Sequence, residues 1–194
     1  GSVRRDLAWI RRHCEAFAVS VTDVTEAYAV IAVMGPGGRE VLASVGGEGV
    51  DDIGFFQSDD RHLGDHRVRA AKVSYVGEDG FELTCERADA ERLWRRLREA
   101  GARPAGTLAQ TSMRIEKRYL AYGHDLDTDI SPLAAGLGFA LAWETPFIGR
   151  EALAAQRNEA SPPRIVSLLF DDSQAVPIGG EAVYLGDQPV GKTT

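Results

Sequence analysis

Hydrophobic positions recur at two different spacings along this chain, and the spacing predicts its elements. Leu7, Ile10 and Cys14 lie three and four apart, which predicts a short helix through Cys14 with Asp6 as its cap. Residues 18–24 read as extended, and Tyr28 to Met34 form a β-rich run closed by Gly35-Pro36-Gly37-Gly38. A helical stretch from Arg39 to Val45 follows. The glycine- and aspartate-rich residues 46–65 predict a loop, with a short strand at Ile53 to Phe56 inside it. Val68 to Val76 and Phe81 to Cys85 predict two strands joined into a hairpin by Gly77-Glu78-Asp79-Gly80. Ala90, Leu93, Trp94, Leu97 and Ala100 then mark the clearest amphipathic helix, stopped by Gly101 and Pro104, and its charged face reads as solvated surface. A second helix over residues 107–118 places Leu108, Thr111, Ile115 and Tyr119 on one side. Residues 149–157 predict one more short helix. Ser161-Pro162-Pro163 is the strongest boundary signal, and short β-like runs follow at 165–170, 182–185 and 189–193.

Composition narrows the function classes. A length of 194 residues predicts about one domain and a fraction of another. With 44% apolar and 26% charged residues the chain is an ordinary globular one, which excludes disordered, collagen-like and disulfide-scaffold classes. A formal charge of −7 argues against a nucleic-acid partner, whose phosphates need a basic face. The apolar runs at 27–35 and 134–143 fall short of the roughly 18 residues of a spanning helix, so no membrane segment is expected. The opening Gly1-Ser2-Val3-Arg4-Arg5-Asp6 leads into no apolar core of a secretory signal, and Cys14 and Cys85 form neither a disulfide framework nor a C-x-x-C pair. Both features point to a reducing, cytoplasmic setting.

Several motifs carry candidate chemistry. Residues 186–193 match the phosphate-binding pattern G-x-x-x-x-G-K-[ST], but Pro189 removes a loop amide and no helix follows, so Gly186-Asp187 reads as a hairpin turn. His124 to Asp129 begin like a calcium loop, yet Ile130 stands at the turn glycine and Gly136 at the terminal glutamate. Asp59, Asp60, His62, Asp65 and His66 offer metal-ligand chemistry within eight positions, which a polar loop also has by default, and no metal is expected. If Glu78-Asp79 is a two-residue turn, Tyr75 lies directly across from Glu82 on one sheet face, with Val76, Phe81 and Leu83 on the core face. That pair is either solvent-facing or one wall of a ligand site. Glu116, at the end of the second helix, either forms an exposed ion pair with a neighbour such as Lys117 or Arg118 or reads a ligand.

One family unites these motifs. Asp6-Leu7-Ala8-Trp9-Ile10, Met34-Gly35-Pro36, the run Ser74 to Glu82, Arg114-Ile115-Glu116-Lys117, Tyr122-Gly123-His124-Asp125, the run Pro132 to Leu137 and the run Phe147 to Leu153 occur in order. Together they resemble the folate-binding aminomethyltransferase family of the glycine-cleavage T-protein, above all the version fused behind the flavin domains of sarcosine and dimethylglycine dehydrogenases. The resemblance implies an α+β, split βαβ (ferredoxin-like) folate-binding domain over residues 1–160 and the truncated start of a β-barrel domain over 161–194. It also assigns residues 190–194 to a barrel strand.

The same resemblance implies tetrahydrofolate as the ligand that accepts a one-carbon unit and becomes 5,10-methylenetetrahydrofolate. The donor would be a small N-methyl amine or an aminomethyl group, with a flavin domain or a lipoyl carrier as partner, and FAD only in an upstream domain. Glu116 matches the carboxylate that reads the pterin, and Tyr75 and Glu82 match the hairpin beside the folate; a carboxylate can accept two pterin N–H donors, and a flat ring packs on an aromatic face. In the family the aspartate that orients or deprotonates the folate nitrogen precedes the D-L-A-W-I segment, where this sequence has five residues, so the catalytic aspartate is expected upstream. A folate-binding or assembly module without catalysis is the alternative expectation.

Overall fold

A computed structural model describes residues 2–159 and 162–194. The chain divides into two compact units, one of residues up to Tyr119 and one from Leu120 onward. The sequence-predicted junction at Ser161 lies outside the described residues.

In the first unit, helix α1 (Val3–Cys14) begins three residues before Asp6, so Asp6 sits in the first turn and pairs with Arg5 rather than capping the helix. Residues 18–24 form no strand. Strand β1 (Tyr28–Met34) leads through Gly35-Pro36-Gly37 into α2 (Gly38–Ser44). Strands β2 (Ser58–Leu63) and β3 (His66–Ala71) form a hairpin, and β4 (Gly80–Glu86) precedes α3 (Ala90–Glu99). The strand order is β1-β4-β3-β2, with every neighbouring pair antiparallel. It follows that β1 and β3 run parallel with β4 between them, which is the split arrangement expected of an α+β fold.

Alternation decides which face is buried. Ile31 and Val33 of β1, Phe81, Leu83 and Cys85 of β4, Val68 and Ala70 of β3 and Leu63 of β2 share one face, where they meet Leu42 of α2 and Leu93 and Leu97 of α3. Phe81, Leu83 and Leu93 are fully buried, as the predicted core positions require. The other face carries Val30, Ala32, Asp60, Arg67, Arg69, Glu82 and Thr84.

One predicted loop turns out otherwise. Residues 53–56 are not a strand; β2 forms instead over residues 58–63, inside the stretch predicted as loop, where its carboxylates are neutralised by arginines of β3 and of β2 itself. Arg69 and Arg67 both bond Asp60, at 2.9 and 2.7 Å, and Arg61 bonds Asp59. These hydrogen bonds, Arg69 first, hold the Asp60 carboxyl down at about 2. Asp59 and Asp60, two of the carboxylates that offered metal-ligand chemistry, are thus engaged by guanidinium groups.

Helix α4 (Thr107–Glu116) does not bury the predicted stripe: Leu108 is 86% exposed and Ile115 53%, while Arg114 is its one buried residue. Periodicity identifies residues that share a stripe, not whether that stripe has a partner.

The second unit contains α5 (Arg150–Arg157), as predicted, and the hairpin β5 (Ala182–Leu185) and β6 (Gln188–Lys192). Gly186, at a φ of +61°, makes the turn of that hairpin, in agreement with the reading of the G-x-x-x-x-G-K-T match as a turn. Residues 165–170 form no strand, since the described residues give them no ladder partner. Among the described residues no helix is long and apolar enough to cross a membrane.

Leu93→Ala should cost about 2–5 kcal/mol of stability, as large-to-small changes in a closed core do, whereas Leu108→Ala should stay within about 0.5 kcal/mol; urea unfolding compares them. Because the Asp60 pKa is lowered in the folded chain, its contribution to stability is present above about pH 4 and is lost as pH falls through about 2. The difference in melting temperature between the parent and Asp60→Asn should therefore be flat above that range and vanish below it.

Candidate active site

The loop between β3 and β4 carries the first candidate residues, and its path differs from the predicted hairpin. β3 ends at Ala71, where the Lys72 main chain turns to residues 56 and 57: Phe56 N–H donates to the Lys72 carbonyl at 3.0 Å and Lys72 N–H to the Gln57 carbonyl at 2.9 Å. The connection to β4 is thus an eight-residue loop over 72–79, not a two-residue turn. The residues opposite Glu82 are Ala32 on β1 and Ala71 on β3, so Tyr75 does not face it across a ladder. Glu82 still lies on the open sheet face, half-buried, and its two alanine neighbours leave room around the carboxylate.

Charge fixes the base of this loop. Asp79 accepts hydrogen bonds from Arg39 Nε and from Lys72 Nζ, the latter at 3.2 Å, while its carbonyl accepts the Gly35 N–H at 2.8 Å. Burial pushes the Asp79 carboxyl up, but the bonds from Arg39 and Lys72 outweigh it and hold the group below the usual range. Lys72 also lies 5.2 Å from the centre of the Phe81 ring. Within the loop, Val76 N–H donates to Ser74 Oγ at 3.3 Å, a local turn that leaves Val76 buried and Tyr75 pointing elsewhere.

Tyr75 meets the end of α4. Its ring stacks on that of Tyr119 with centroids 6.1 Å apart and planes 20° from parallel. Two devices hold this pair. Gly77, at a φ of +76°, packs so closely on Lys117 that a Cβ there would lie 2.2–2.6 Å from the lysine side chain. Beyond α4, Arg118 takes a φ of +56° and reverses the chain, so that Tyr119 N–H reaches the Arg114 carbonyl at 2.8 Å and Arg114 Nη1 donates to the Tyr119 carbonyl at 3.0 Å. Arg114 is only 5% exposed. Its burial is stabilised by a main-chain acceptor whose position depends on the chain reversal.

Glu116 ends α4, two residues from Arg114 and three from Tyr119, and is exposed. Among the described residues neither the Glu116 nor the Glu82 carboxylate makes an ion pair or a hydrogen bond, which removes Lys117 and Arg118 as partners of Glu116. The structure therefore brings Tyr75 beside the end of the helix that bears Glu116, and places Glu82 separately on the open sheet. An aromatic surface next to an unengaged carboxylate can hold a flat heterocycle by its face and accept its N–H donors. Sequence reasoning missed Arg114 and Tyr119 as parts of this wall. Part of their signal was present, since Arg114 opens the quoted Arg114-Ile115-Glu116-Lys117 motif and Tyr119 ends the predicted helical stripe, but an arginine's burial leaves no mark in periodicity.

Comparison with known proteins adds an independent line. Residues 1–145 match the family described as the GCVT N-terminal domain. An aminomethyltransferase of Halalkalibacterium halodurans is 36% identical over 199 residues, covering 100% of this chain and 54% of that protein. Those of Methylococcus capsulatus and Streptomyces avermitilis are 38% and 37% identical, covering 89% and 92% of this chain and 47% and 50% of their own lengths. The chain spans about half the length of the curated relatives it matches.

Replacing Arg114 by Leu should leave the Tyr119 carbonyl without its guanidinium donor and cost about 1–3 kcal/mol in urea unfolding. Tyrosine fluorescence should change with it, because the stack on Tyr75 depends on the same chain reversal.

Proposed function

The chain belongs to the GCVT N-terminal domain family, and from that premise we propose that it is the tetrahydrofolate-binding part of an aminomethyltransferase. The observation that carries this reading is the Tyr75–Tyr119 stack beside the unengaged Glu116. Reduced pterins are flat, apolar on their faces and rich in N–H donors along one edge, and they need an aromatic surface and a carboxylate acceptor in combination. The residues present supply both.

When bound, tetrahydrofolate supplies the nitrogens that accept the one-carbon unit to give 5,10-methylenetetrahydrofolate. The roles of this chain's own residues are to bind and orient. Tyr75 offers a ring face, backed by Tyr119, whose position Arg114 fixes through the main chain. Glu116 accepts N–H donors and selects a pterin over a flat ring without them. Glu82, half-buried on the open sheet, is a second acceptor for the same ligand, with Ala32 and Ala71 leaving the approach to it uncrowded. Neither carboxylate is committed to a protein cation, so binding breaks no existing ion pair.

The parent we propose is a sarcosine or dimethylglycine dehydrogenase-like or T-protein-like enzyme acting in the cytoplasm. Its one-carbon donor is an N-methyl amine or an aminomethyl group, delivered by a flavin domain with FAD or by a lipoyl carrier. Residues 1–160 constitute the folate-binding domain in this reading, and residues 161–194 open a β-barrel.

Titration calorimetry of the full-length parent with 5-formyltetrahydrofolate tests the assignment. Glu116→Ala should weaken binding by about 10- to 100-fold, the worth of a charge-assisted hydrogen bond, while the melting temperature without ligand stays unchanged. Glu82→Gln should weaken it less, and Tyr75→Phe by only a few-fold, about the contribution of a lost hydroxyl contact. Unchanged affinity in all three variants would remove these residues from the folate site.

A further inference from the structure

The 72–79 loop meets the end of α4 at a second point besides the ring of Tyr75. Gly77 lies two residues beyond Tyr75, and the three atoms nearest to where its Cβ would stand are Cγ, Cδ and Cε of Lys117. The contact is therefore made by the lysine's methylene stem. Lys117 follows Glu116 directly and closes α4, its N–H donating to the Met113 carbonyl at 3.3 Å, so the root of the stem is fixed to the helix. The residue as a whole is exposed, whereas Gly77 beneath it is half-buried. Lysine suits such a place, since its carbons can cover main chain while its ammonium stays in water.

Both partners are fitted to this contact. Gly77 takes a φ of +76°, a left-handed conformation that favours glycine, and its missing Cβ gives the stem a bed. An alanine there would meet three consecutive carbons of the stem, so the whole stem would have to leave. On the loop side, Gly77 stands between two points already held, the buried Val76 and Asp79, which bonds Arg39 and Lys72. On the helix side, Arg118 begins the reversal that presents Tyr119. The stem thus joins the segment that carries Tyr75 to the helix end that carries Glu116.

We infer that Lys117 is a positioning residue for the ligand site and that it acts through its stem, not its charge. It need touch no ligand atom. By seating the loop on α4 it sets the separation of the Tyr75 ring and Glu116 before a ligand arrives, and a site ordered in advance loses less affinity to the entropy of ordering. The inference rests on the folate reading of this site and adds a residue to which that reading gives no role.

Titration calorimetry with 5-formyltetrahydrofolate and thermal unfolding without ligand, both on the full-length parent, test it. Lys117→Ala should weaken binding about tenfold, within the range of coupling between residues in contact, and leave the unliganded melting temperature unchanged. Lys117→Met keeps an unbranched stem and removes the charge, and should bind within about twofold of the parent. Gly77→Ala should weaken binding at least as much as Lys117→Ala, because it expels the stem and strains the turn. Adding Lys117→Ala to Gly77→Ala should then weaken binding no further, since the two changes remove one contact. Hydrogen exchange followed by mass spectrometry should show faster exchange over residues 73–78 in Lys117→Ala and parent-like exchange in Lys117→Met. The proposal is overturned by parent-like affinity or parent-like exchange in Lys117→Ala, by equal losses in Lys117→Met and Lys117→Ala, by losses that multiply in the double variant, or by a melting temperature that falls with the affinity. The same titration separates it from the reading it rests on. Weakened binding in Glu116→Ala with parent-like binding in Lys117→Ala sinks this proposal alone, whereas parent-like binding in Glu116→Ala, Glu82→Gln and Tyr75→Phe removes the folate site and this proposal with it.

Discussion

Asp79 gathers two cations over the ring of Phe81. Lys72 lies 5.2 Å and Arg39 5.9 Å from its centre, and both bond the Asp79 carboxylate. Phe81 is fully buried at the start of β4, the strand that pairs with both β1 and β3. The same small cluster therefore closes one end of the core, ties α2 to the sheet through Arg39, and anchors the two ends of the 72–79 loop through Lys72 and Asp79. A lysine so shielded would be costly without its carboxylate, and a carboxylate so placed would be costly without its cations. Each charge is tolerated because the others are there.

The candidate site inherits its order from that anchor. With the ends of the loop fixed, the turn at Ser74 buries Val76 and directs Tyr75 away from the core, where Tyr119 meets it. The other half of the wall is fixed by a different device, the Arg114 guanidinium that grips a carbonyl five residues along the chain. One half depends on charge pairing across forty residues of sequence and the other on a local reversal after a helix. The site's aromatic surface exists only where the two meet. The two carboxylates differ again: Glu82 owes its place to the sheet register, Glu116 to the last turn of α4.

The sheet has a divided character. Its inner face is a continuous apolar layer against α2 and α3. Its outer face is ionic over β2 and β3, where Asp60 sits between Arg67 and Arg69, and apolar over β1. The motifs around Tyr75 and Glu116 lie within residues 1–145, the part that matches the GCVT N-terminal domain family.

The sequence by itself determined the elements whose stability is mostly local or whose pattern has one reading. The alternation of β1 and of residues 81–85, the leucine stripe of α3, the short helix at 150–157 and the turn at Gly186 all follow from side-chain period and turn chemistry. It also determined Tyr75, Glu82 and Glu116 as candidates, through motifs that stand in order. Tertiary structure alone decided the rest. Residues 58–63 looked like a polar loop because their strand is stabilised by arginines on the facing strand, and cross-strand pairing is invisible to a reading along the chain. The supposed two-residue turn at Glu78-Asp79 became the end of an eight-residue loop because Asp79 is held by Arg39, forty residues away. Leu108 and Ile115 have a helical stripe's spacing, yet spacing cannot say what a stripe faces. Arg114 is buried because its guanidinium finds a carbonyl that only the folded chain presents. Charge pairing and hydrogen bonding, which periodicity does not encode, made every one of these differences except the exposed stripe.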